Sequence, residues 1–235
     1  MKFMRVNKYN IGGLLATLCI GILFSCSKMD ETYADFLKEG EIVYTGKVDS
    51  IKTYPGNNRL GLSMLLIADP KISKVKVFWN AGSQPDSTEK NVQRTPGIDT
   101  VRFYFDKMPE GTFTFYIYTY DNLGHKSIKT DVIGDVYGEK YIAQLVNRAI
   151  KSTTYSDADK ALQIKWFGVG PDVIGEQIIY TDTIGAEINM VAITDSVTIL
   201  PAWKKGNAFQ FRTLYKPTPN AIDTFYSNYE TRIIP

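Results

Sequence analysis

His125 is the only histidine in the chain, so any chemistry that needs an imidazole has one place to happen. No Gly-x-Ser-x-Gly elbow supplies a nucleophile for it, and a metal centre built on several imidazoles is excluded. The residue reads as an exposed turn residue behind Gly124. Carboxylates such as Asp69, Asp99, Asp121 and Asp172 stand singly at turns, where Asp ordinarily accepts backbone hydrogen bonds. No two of them are marked out for the separation of about 5 to 9.5 Å that glycoside hydrolysis requires. Asp121-Asn122 lacks the spaced oxygen ligands of a calcium loop. Gly168-Val169-Gly170 runs into Pro171 rather than into the Lys-Ser/Thr and helix start of a phosphate loop. The expectation is a noncatalytic protein with no cofactor and no metal.

The aromatic residues are the better lead, with 15 Tyr and 12 Phe in 235 residues. In the run from Gly111 to Tyr120, strand alternation sends Phe113, Phe115 and Ile117 to one face and Tyr116, Tyr118 and Tyr120 to the other. An earlier strand alternates in the same way, with Val75, Val77 and Trp79 inward and Lys74, Lys76 and Phe78 outward. If the two strands are neighbours in one sheet, Phe78 joins the three tyrosines in an outward patch. Flat apolar faces with hydroxyl rims suit sugar rings or a protein partner. Three occupants fit such a patch: another part of this chain, a protein, or a glycan. Trp203, in the turn before Lys204-Lys205-Gly206, is a second ligand-binding candidate, either exposed or capping the end of a sandwich.

Positioning those side chains requires strands. Short alternating runs rich in β-branched and aromatic residues, cut by Gly, Pro, Asn and Asp, predict an all-β fold. An internal repeat sets the organisation. Ile51-Lys52 is echoed by Ile150-Lys151, and Leu60, Leu62 and Met64 by Leu162, Ile164 and Trp166. Val75 and Val77 match Ile178 and Tyr180, and Phe113 and Phe115 match Phe209 and Phe211. Each copy has about seven short strands, the signature of an immunoglobulin-like sandwich. Leu162 to Trp166 resembles the second strand of a fibronectin type III domain, with Met64 at the place of the Trp in the first copy. The expected fold is two tandem immunoglobulin/fibronectin type III-like β-sandwiches, over residues 48–136 and 150–235. Residues 137–149 join them. Tyr141, Ile142, Leu145 and Val146 fall at helical spacing there, although a segment this short is a marginal helix without packing, and an extended linker is the alternative.

At the N-terminus, Lys2, Arg5 and Lys8 precede an apolar run over residues 11–24 that is short for a membrane-spanning helix. Leu23-Phe24-Ser25-Cys26 resembles the lipobox of bacterial lipoproteins. The resemblance implies a signal peptide over residues 1–25, lipid attachment at Cys26, and a lipidated tether and lead-in over residues 26–47. Two or more acyl chains, at about 0.8 kcal/mol per buried methylene, make a stable anchor. The whole chain carries 27 Lys+Arg and 25 Asp+Glu. Processing would leave 24 cations against 25 carboxylates, a net charge of −1, so no nucleic-acid partner is indicated. Cys19 would leave with the signal, and an acylated Cys26 forms no disulfide.

Residues 36–47, Val77-Phe78-Trp79-Asn80, Arg94-Thr95-Pro96-Gly97-Ile98-Asp99 and Tyr120-Asp121-Asn122 resemble the DUF4998 family of Bacteroidetes lipoproteins. That resemblance implies an outer-membrane, lipid-anchored protein at the cell surface or the periplasmic face. It also implies a noncatalytic role beside glycan-uptake systems, with a polysaccharide or outer-membrane uptake proteins as partners. A structural or adhesive scaffold that binds a protein partner is the alternative. The family supplies no functional residues to carry over.

Overall fold

A computed structural model describes residues 43–234, except 68, 82, 83 and 194. Cys26 and the expected signal segment lie outside the described residues. From residue 49 onward the chain is a succession of antiparallel strands broken by a single helical turn.

The first seven strands are β1 (Asp49–Gly56), β2 (Arg59–Leu66), β3 (Ile72–Ala81), β4 (Gln84–Asn91), β5 (Asp99–Asp106), β6 (Gly111–Asp121) and β7 (Thr130–Val136). They form a three-stranded sheet in the order β1-β2-β5 and a four-stranded sheet in the order β4-β3-β6-β7. Alternation explains why the sheets stack. Leu60, Leu62, Met64 and Leu66 of β2 and Val75, Val77, Phe115 and Ile117 of β3 and β6 all point into one core and are buried. Trp79, Phe105 and Phe115 meet at its centre, with ring centroids 4.8 Å (Trp79–Phe105) and 5.0 Å (Phe105–Phe115) apart. Each such side chain contributes about 1.5 to 3 kcal/mol by leaving water. The open edge at β4 carries Pro85, Asp86, Glu89 and Lys90, a composition that discourages pairing with another chain.

The pattern then recurs with β8 (Ile150–Ser156), β9 (Ala161–Trp166), β10 (Val173–Thr181), β11 (Glu187–Ala192), β12 (Val197–Leu200), β13 (Ala208–Tyr215), β14 (Phe225–Tyr226) and β15 (Glu230–Ile233). One sheet runs β12-β9-β8; the other runs β11-β10-β13, with β14 and β15 both pairing β13. Both sandwiches therefore have the strand order of a fibronectin type III-like domain, and the repeat seen in the sequence maps strand onto strand. Trp166 is buried in the second core and donates from Nε1 to Thr198 Oγ1 at 2.9 Å. Met64 occupies the equivalent place in the first core and is likewise buried.

Between the sandwiches lies α1 (Glu139–Ile142), one turn of helix. Its free N-terminal amides, Lys140 and Tyr141, donate to the Glu110 carboxylate at 2.7 and 2.8 Å, which satisfies donors that a helix leaves unpaired. Tyr141, Ile142 and Leu145 pack with Tyr137 against Val173, Tyr215 and Phe225 of the second sandwich. Val146 departs from the expected helical face and is 71% exposed. The last helical residue is Ile142, so the period no longer applies four residues later. A second contact closes the joint from the other side. Asp223, in the loop before β14, accepts from Arg59 Nε and Nη2 at 2.8 and 2.5 Å and from the Asn57 amide at 2.8 Å. The Ile222 amide donates to Pro55 O at 2.9 Å. Gly56 is required for this approach, because a Cβ there would lie 2.5 Å from Asp223 Oδ2 and 2.8 Å from Ile222 Cγ1.

Candidate functional site

On the outer face of the four-stranded sheet, antiparallel register sets Phe78 opposite Tyr116, Lys76 opposite Tyr118 and Lys74 opposite Tyr120. Paired residues of neighbouring strands project to the same side, so the aromatic row expected on β6 and the residue expected to join it from β3 form one surface. Phe78, Tyr116, Tyr118 and Tyr120 line a shallow groove of about 460 Å³, together with Lys126 and Lys129. The four rings are half-buried, standing on a sheet whose other face is packed core. Phe78 meets Tyr118 edge to face at 5.9 Å. The principal neighbours of β3 and β6 are each other and the strands β4 and β7. Among the described residues, no element of the second sandwich stands out as covering the groove.

Every ring carries an ammonium group. Lys74 lies 5.4 Å from the Tyr120 centroid, Lys76 5.1 Å from Phe78, Lys126 4.6 Å from Tyr118 and Lys129 4.8 Å from Tyr116. Cation–π contacts at exposed sites are worth about 0.5 to 1 kcal/mol each, enough to bias the lysines toward the groove and too little to lock them there. Glu89 on β4 bridges Lys74 at 3.4 Å and Lys76 at 3.6 Å. Asp131 on β7 stands opposite Tyr116. The surface is therefore aromatic and basic, with phenolic hydroxyls and ammonium groups as its donors.

Trp203, the second candidate, does not belong to any surface. It is 1% exposed in the core of the second sandwich, 5.7 Å from the Tyr155 ring. Ala202 at φ 50° and the bridge of Trp203 to Asp182 turn the indole inward, so it closes the end of the sandwich. Of the two places expected for this turn residue, the indole takes the capping one, and it offers no face to a ligand.

His125 is half-buried rather than fully exposed, with Nδ1 2.7 Å from Asp121 Oδ2. Burial raises the Asp121 pKa, but the hydrogen bonds from the His125 side chain and amide and from the Leu123 amide outweigh it and hold the carboxyl below its usual range. Asp121 is thus committed to its turn. Asp99 is committed in the same way: hydrogen bonds from the Thr95 hydroxyl and amide, against burial, hold it low with help from Arg94. Among the described residues no group of three or more His, Cys, Asp or Glu could hold a metal ion.

Lys126 and Lys129 are the groove residues that alternation alone does not reveal. They follow the turn after β6, and only the β6–β7 register and the bridge of Tyr120 to Lys126 bring them over the tyrosines.

The chain is similar to the fibronectin type III domains FN1–FN3 of chicken CNTN1, at 12% identity and a TM-score of 0.41, covering 81% of this chain and 67% of that one. It is also similar to a two-domain fibronectin type III segment of chicken tenascin, at 14% identity and a TM-score of 0.32, covering 80% and 99%. No curated protein matches it. The family model that matches is described as a domain of unknown function and spans residues 26–225.

Proposed function

The chain belongs to the DUF4998 family, and from that premise we propose that it is a noncatalytic cell-envelope lipoprotein that binds a glycan through the groove on the first sandwich. The observation that carries this reading is the groove itself, four half-buried rings in register on a rigid sheet with polar donors at their rims. Such a surface combines apolar contact with hydrogen bonding in the way a sugar chain needs. The joint between the sandwiches would hold the groove at a fixed attitude on its tether. Leu23-Phe24-Ser25-Cys26 supports export and lipid attachment at Cys26, which would place the protein on the outer membrane as an accessory of a polysaccharide-acquisition system.

The test is a polysaccharide array probed with residues 27–235, followed by titration calorimetry on each hit. Replacing Tyr116 and Tyr118 together by Ala is expected to weaken a hit at least tenfold, or about 1.4 kcal/mol, while the melting temperature moves by only a few degrees. Loss of binding together with a large fall in melting temperature would assign the two residues to packing. An array with no hit would overturn the reading. The anchor has its own test: Cys26→Ala is expected to move the protein from the membrane fraction to the soluble fraction, and retention in the membrane would remove lipid attachment.

A further inference from the structure

We infer that the ligand of the groove is an acidic polysaccharide, an extended sugar chain bearing carboxylate or sulfate groups, an inference that rests on the glycan-binding reading of the same surface. The first reason is the state of the ring faces. A neutral sugar stacks on a bare ring, yet all four rings here already hold an ammonium group within 5.4 Å of their centroids. A neutral ligand must push these groups aside and lose the cation–π contacts. An acidic one keeps them and gains a charge-assisted hydrogen bond from each lysine it meets.

The second reason is the balance of charge. Lys74 and Lys76 share Glu89, and Asp131 faces outward beside Tyr116. Lys126 and Lys129 are exposed, line the groove, and have no carboxylate within ion-pair distance among the described residues. Four cations against two anions leave the groove positive, with Asp135 farther along the same face beside Thr112, on a mature chain whose net charge would be −1. The excess sits where the tyrosines are rather than being spread over the surface. Because the outward residues of a strand recur about every 6.8 Å, the row from Tyr116 to Tyr120 favours a linear ligand running along β6.

The test uses the mature chain and its Lys126→Ala/Lys129→Ala variant in titrations with polygalacturonate, its methyl ester, dextran, dextran sulfate and polyglutamate. Expected is binding to at least one charged polysaccharide, at least about tenfold weaker for its uncharged counterpart, weakened about tenfold by the double substitution, and falling with added salt. Both lysines are exposed, so the variant should keep its melting temperature. Equal binding of charged and uncharged chains would overturn the acidic ligand while leaving glycan binding in place. Polyglutamate binding as tightly as the charged sugars would overturn it in favour of an acidic protein partner. No binding of any probe would overturn both.

Discussion

Replacing Arg148 by Ala is expected to destabilise the protein by about 3 to 5 kcal/mol, the range for breaking a buried ion pair from one side. Arg148 and Glu176 have side chains 3% and 0% exposed, and Nη1 donates to Glu176 Oε1 at 2.9 Å. The guanidinium also donates to the carbonyls of Phe167 at 2.7 Å and Asp195 at 3.1 Å, and it lies over Trp166. Alanine removes all of these donors and leaves a carboxylate with no counter-charge inside the second sandwich. Burial raises the Glu176 pKa, and Arg148 pulls it back down. In the native protein the folded state therefore keeps a proton that the unfolded chain releases earlier, and Glu176 subtracts stability as pH rises from its unfolded value through the folded one. Without Arg148 that pKa climbs further. The loss should consequently be larger at pH 8 than at pH 5, which urea denaturation at both values would show. Arg148→Met combined with Glu176→Leu should recover much of the loss, since an apolar pair of similar volume is often neutral or better. A loss under 1 kcal/mol at pH 8 would mean that the pair contributes little to folding.

Phe225→Ala is expected to cost about 3 to 5 kcal/mol and to loosen the joint. Phe225 is 2% exposed and packs edge-on to Tyr141 at 5.1 Å and to Tyr137 at 5.8 Å. By contrast, Asp223→Ala removes a partly exposed ion pair and should cost under about 1 kcal/mol, so the aromatic cluster carries the joint and the ion pair sets its alignment. Tyr141 supplies a direct readout. Burial, with smaller contributions from Asp172, Tyr137 and Tyr215, pushes its phenol up from 10.0 to about 12. The folded state holds this proton where the unfolded chain releases it, so stability falls as pH rises from 10 toward 12. Spectroscopic titration should find one tyrosine ionising near 12 in the native protein and moving toward 10 in Phe225→Ala. An unmoved titration with native stability would sink this account of the joint.

Most of this architecture could be read from the residues, because burial of one face of each sheet imposes a period of two that survives in the sequence. Leu60, Leu62 and Met64 and their counterparts Leu162, Ile164 and Trp166 are legible for that reason, and so is the outward face of β6. What could not be read depends on which distant segments meet. In the sequence, exposure and capping are both open for Trp203, and only the core packed beneath its turn decides between them. Arg148 looks like one more cation in a linker until Glu176 is brought beside it. Lys126 and Lys129 belong to the groove only once the register of β7 is known. Alternation gives the face of a side chain, whereas its neighbours across the sheet come from tertiary structure.

The contact between Arg59 and Asp223 spans 164 residues of chain, and that separation orders events during synthesis. A chain growing from its N-terminus completes the first sandwich at Val136, while the partner of Arg59 and of the Asn57 amide has yet to be made. Contacts this distant in sequence come late and slow the search for the native state. The first sandwich must therefore hold itself together through that interval on its own core, until Asp223 and Phe225 arrive to close the joint.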